Sequence, residues 1–107
     1  MKNADEMLVG FTTFPSRKEA ESAAKTLVAE ELAACAQVPE SPVLSAYVWE
    51  GETRSEREWE LKLKFPPENL ERLEARLVEI HPYECPQWYA LKPHSVYGPY
   101  ARWVRGG

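Results

Sequence analysis

The chain is 107 residues long, the length of one domain, and carries a net charge of −4 at pH 7 with 44% hydrophobic residues; a monomer of this size buries roughly 60 to 70% of the surface its unfolded chain would expose. That charge gives no basic field for a polyphosphate backbone, so no nucleic-acid partner is expected. Two cysteines without a C-x-x-C pair, and no apolar run near the ~20 residues of a bilayer span, argue against a disulfide-stapled secreted domain or a membrane protein; the expected location is cytoplasmic.

Met7 to Thr13 is a short β-favouring run that ends at Pro15, and Ser16 followed by Glu19 is a capping-box signature. The helix it opens has a stripe of Ala20, Ala23, Ala24, Leu27 and Val28 at helical spacing, rich enough in alanine to lie close to a sheet. Leu32 to Val38 reads as a second strand, interrupted at Pro39 and Pro42 and resuming from Val43 to Glu50 with a bulge or bend between its halves. Glu50-Gly51-Glu52 and the polar residues after it supply a hairpin turn. In the third strand Trp59, Leu61, Leu63 and Phe65 form a dry face, and Glu58, Glu60, Lys62 and Lys64 a wet one.

Pro66-Pro67 stops that strand, and Pro67 suits the first turn of a helix whose apolar face is Leu70, Leu73, Leu77 and Ile80. Gln87 to Leu91 follows as a fourth strand, and Pro99 to Val104 as a short final helix carrying Trp103. The order is β-α-β-β-α-β with an added helix, an α+β ferredoxin-like sandwich in which both main helices cover one face of an antiparallel sheet. A single domain over residues 1–107 is expected, with 1–6 and 106–107 frayed. The other sheet face needs a cover, because Tyr47, Trp49 and Trp59 are costly to leave wet. Self-association supplies one.

The segment His81-Pro82-Tyr83-Glu84-Cys85-Pro86 places an imidazole, a carboxylate and a thiol in one proline-bracketed turn, and these are the side chains that bind transition metals. His81, Glu84 and Cys85 are therefore the candidate ligands of a divalent metal, with Cu(II) favoured by the Irving–Williams order. The alternative for His81 is structural: it ends the second helix, where an imidazole bonds the last carbonyls and meets the negative end of the helix dipole. Cys35 reads as a small buried hydrophobe, and packing and ligation are evenly matched for Cys85. Tyr47, Trp49 and Glu50, with Tyr83, Trp88 and Tyr89 near the turn, are expected to wall a subunit boundary or a ligand cleft there.

Three ordered blocks, Leu32-Ala33-Ala34-Cys35-Ala36-Gln37-Val38, Tyr47-Val48-Trp49-Glu50-Gly51-Glu52 and the His81 to Pro86 turn, make residues 7 to 105 resemble the CutA divalent-cation tolerance proteins. The resemblance implies a cytosolic, non-enzymatic homotrimer, similar in build to the PII signalling proteins and linked to copper and other divalent cations. Members tied to copper carry a cysteine where this chain has Thr12 and a histidine where it has Ile80, so only His81 of that set is present. The competing reading is a PII-like trimer that binds a small ligand between subunits and signals to an unidentified protein partner; no Gly-rich phosphate loop accompanies it. An RNA-recognition module shares the element order, but the third strand lacks that module's basic-glycine-aromatic signature. An enzyme would need Cys35 or Cys85 beside His81 or His94, and none is expected.

Overall fold

A computed structural model describes residues 6–106. The strands are β1 (Leu8–Phe14), β2 (Cys35–Gln37), β3 (Val43–Trp49), β4 (Glu52–Phe65) and β5 (Tyr89–Leu91). The helices are α1 (Arg17–Ala29), α2 (Leu70–Ile80), entered through a 3₁₀ turn at Pro67–Asn69, and α3 (Gly98–Val104). β4 pairs antiparallel with β1, β2 and β3, and β1 with β5, so the sheet runs β5-β1-β4 with β2 and β3 end to end beside β4. Counting β2 and β3 as two halves of one strand, this is the expected ferredoxin-like arrangement.

The Ser16 cap of α1 forms: Ser16 Oγ accepts from the Glu19 amide at 3.2 Å. α1 ends in a left-handed cap at Glu31, with φ of 60°. There the Leu32 and Glu31 amides donate back to the Leu27 and Val28 carbonyls, the paired bonds of a Schellman motif. Leu32 and Leu27 are both in the core, so the cap also steers the chain into the sheet. Ala20, Ala23, Ala24 and Leu27 of α1 and Leu73 and Leu77 of α2 bury against Phe14, Leu61, Leu63 and Phe65. Each buried leucine or phenylalanine contributes about 1.5–3 kcal/mol.

Several expectations are corrected. The second strand opens at Cys35, after the cap, because Ala34 donates to the Lys64 carbonyl and Leu32 and Ala33 turn inward instead. Cys35 is half-buried rather than a core residue. The hairpin turn is only Glu50-Gly51, both with positive φ (52° and 77°), so Trp49 faces Glu52 and the polar residues after it are strand. Val28 leaves the apolar stripe and is 39% exposed. Strand β5 is shorter than Gln87 to Leu91.

Trp59 is opposite Phe14 and packs on the core under the helices, so it is not part of an open aromatic face. Glu58 breaks the wet-face pattern at 8% exposure, for a reason given below. The expected fraying of 1–6 and 106–107 falls mostly outside the described residues. Within them, Glu6 pairs with Lys92 at 2.9 Å and the Gly106 amide bonds the Trp103 carbonyl.

β4 is 14 residues long, and only its second half lies against the helices. Its first half and β3 extend beyond them as a two-stranded arm, in a molecule measuring 46 × 26 × 25 Å. Leu44 and Val48 on that arm are 68% and 69% exposed.

Candidate functional site

The turn after α2 is fixed by His81, whose ring stacks on Phe14 with centroids 4.3 Å apart. The Tyr83 amide donates to His81 Nδ1 at 3.1 Å, so Nδ1 carries no proton and the ring's hydrogen is on Nε2. Nε2–H then donates to the Thr13 carbonyl at 2.8 Å, with Thr12 Oγ1 at 3.3 Å. Burial is the main cause holding the His81 pKa below its ordinary value, so the ring is neutral. The expected helix-end role is corrected accordingly. His81 is the C-cap of α2 and its own amide bonds the Leu77 carbonyl, but its ring bonds β1 and carries no charge for the helix dipole.

With His81 seated on β1, Tyr83 reaches Glu58. Its hydroxyl donates to Glu58 Oε2 at 2.9 Å, and the Thr13 hydroxyl donates to the same oxygen at 3.3 Å. Two donors on one carboxylate are what make its burial tolerable. They explain why Glu58 departs from the alternation of β4. Burial, then the bond to Glu58, pushes the Tyr83 phenol far above its ordinary range. On β3, Tyr47 bonds Glu56, and that bond is the largest cause raising its own pKa.

These contacts frame an open cleft of about 640 Å³ between the arm and the turn. It gathers Tyr47, Trp49, Tyr83, Glu84 and Cys85 with Glu56, Glu58 and Arg54. Five of the nine candidate residues thus share one cavity. Glu50 is on the tip of the arm, and His81 lies behind the cleft wall, 8% exposed. Trp88 turns to the other side, packing on Phe65 (6.2 Å between centroids) in a notch left by Gly10, where any Cβ would overlap its ring. Tyr89 stacks on Phe11 at 5.2 Å, so the aromatics around the turn diverge instead of forming one wall.

Sequence reasoning missed Glu58, Glu56 and Arg54. Nothing in the strand alternation distinguishes Glu58 from its solvated neighbours, because its partners Thr13 and Tyr83 come from other elements.

A resident metal does not fit these residues within one subunit. Both nitrogens of His81 are already bonded to the protein, and among the described residues no three His, Cys, Asp or Glu side chains converge as donors. Glu84 and Cys85 are exposed on the cleft rim.

Comparisons with known proteins agree on one group. The family model described as CutA1 divalent ion tolerance protein matches residues 8–106. The divalent-cation tolerance protein CutA of Pyrococcus horikoshii is 35% identical over 98 residues, covering 92% of this chain and 94% of its own. That of Thermotoga maritima is 32% identical over 99 residues, covering 92% and 96%. Among solved structures, the divalent cation tolerance protein Cut A1 from Thermus thermophilus superposes with a TM-score of 0.89 at 33% identity, covering 94% of this chain and 96% of that one.

Proposed function

Because this chain belongs to the CutA1 divalent ion tolerance protein family, we propose that it acts in divalent-cation tolerance as a cytoplasmic, non-catalytic homotrimer whose responsive element is the cleft beneath the β3–β4 arm. The observation that carries this reading is the arm itself: a hairpin without helix cover, bearing exposed Leu44 and Val48, whose apolar surface is unfavourable in water until another subunit covers it. Two free cysteines suit a reducing compartment. Any divalent cation, copper included, would be taken by Glu84 and Cys85 together with donors of another subunit. His81 would hold their turn rather than the ion.

Light scattering gives the first test, with a mass of three subunits expected and a single-subunit mass overturning the reading. Calorimetric titration of Cu(II) and Zn(II) gives the second. Glu84→Gln and Cys85→Ser should weaken any binding that the wild type shows, whereas the same isotherm in all three proteins would remove the rim from the account.

A further inference from the structure

We propose that the cleft is a binding site for a small aliphatic diammonium ion, a linear diamine of about four carbons, seated between the aromatic walls and the carboxylates; this rests on the reading that the cleft is the responsive element. The cleft has the composition that recognises an organic cation. Tyr47, Trp49 and Tyr83 line it, and aromatic rings attract ammonium groups within about 6 Å of a ring centroid. Glu56, Glu58 and Glu84 line the same cleft with the single guanidinium of Arg54, leaving the lining side chains with a net charge of −2.

The phenols sharpen that field instead of quenching it. Tyr83 donates to Glu58 and Tyr47 to Glu56, so each proton stays on the phenol. Each hydroxyl oxygen, having donated, keeps lone pairs that accept from an ammonium. Arg54 is itself partly engaged, its Nη2 lying 3.8 Å from Glu52 Oε2. A volume of about 640 Å³ admits a four-carbon chain with room for water at both ends. A bare divalent metal ion, by contrast, needs several oxygen, nitrogen or sulfur donors on one point, which the described residues do not supply. Two separated charges on a flexible apolar stem match carboxylates spread over the arm and the turn.

The experiment is a titration of the full chain with 1,4-diaminobutane, n-butylamine and 1,4-butanediol, read by calorimetry and by tryptophan fluorescence, with Trp49→Phe identifying the reporter. The diamine should bind once per subunit and at least tenfold more tightly than the monoamine, with the diol silent. Glu56→Gln and Glu84→Gln, both on exposed residues, should each weaken the diamine at least fivefold, and Glu71→Gln on the outside of α2 should leave it unchanged. A diamine that binds no better than the monoamine, or that ignores both cleft substitutions, overturns the inference. Light scattering on the same samples separates the two readings. A trimer that binds no diamine overturns this one alone, and a single-subunit species that binds it supports this one while overturning the assembly.

Discussion

Replacing Tyr83 with phenylalanine removes one hydroxyl and leaves the ring in place. In the wild type that hydroxyl is 2.9 Å from Glu58 Oε2, on a residue only 8% exposed, and the remaining donor to that oxygen is Thr13 at 3.3 Å. A hydrogen bond to a charged group contributes about 1.5–3 kcal/mol, and a buried carboxylate that loses its shorter donor forfeits most of that. Tyr83→Phe should therefore destabilise the fold by about 2 kcal/mol. With a urea m-value of about 1–2 kcal/mol/M for a chain of this size, the midpoint falls by about 1–2 M. Denaturation at one fixed protein concentration is the assay, since subunit association would make the midpoint concentration-dependent. A second pair of proteins, Glu58→Met with and without Tyr83→Phe, closes the cycle. Once the carboxylate is gone the hydroxyl should count for less than about 0.5 kcal/mol, a coupling of neighbours. If Tyr83→Phe costs the same in both backgrounds, the phenol acts through packing and the network from His81 to Glu58 is not what holds the cleft.

Three further outcomes follow from the same geometry. Glu31 sits at φ 60° in the Schellman cap of α1, where a side chain is strained, so Glu31→Gly should raise stability by about 0.5–1 kcal/mol in urea denaturation; a loss would mean the glutamate side chain compensates for its backbone. Gly10→Ala pushes a methyl into the Trp88 ring and should cost about 1–3 kcal/mol by overpacking, with a changed tryptophan emission; an unchanged spectrum and midpoint would refute the notch. For His81 the folded pKa lies below the ordinary imidazole value of about 6.5, so the unfolded chain binds the proton more readily. Its contribution is complete above about pH 6.5 and is lost as pH falls through the lower folded value. His81→Phe, which keeps an aromatic ring against Phe14, should flatten stability against pH just below 6.5, and an unchanged slope there would show that other groups set it.

The element order was legible because its signals are local. The Ser16–Glu19 cap, the alternation from Trp59 to Phe65 and the helical spacing of Leu70, Leu73, Leu77 and Ile80 each depend on a few adjacent residues. The site was legible only in part. His81 was singled out for its chemistry, but its bonds run to Thr13, 68 positions away, and no spacing rule encodes that pairing. Glu58 looked solvated because β alternation reports which face a residue is on, and its cover comes from Tyr83, beyond a helix. The start of β4 was mistaken for a loop because residues 52–57 are polar on both faces, as suits an arm without a core beneath it. Tyr83 and Trp88, five residues apart, look alike in sequence, yet one fixes the cleft and the other fills the space left by Gly10.

Mechanically, β4 is a beam clamped at one end. Residues 59–65 are gripped by β1 and the helices, while residues 52–58 overhang them by about 24 Å at 3.4 Å per residue. Glu58 stands at the point where the clamp ends, and its two hydrogen bonds come from Thr13 on the fixed part and Tyr83 on the turn. A rotation of about 5° at that point would move the tip, Glu50-Gly51, by about 2 Å over that length. The arm is thus a lever with its root at Glu58, and its tip magnifies any small change of angle there into a displacement many times larger than the one at the root.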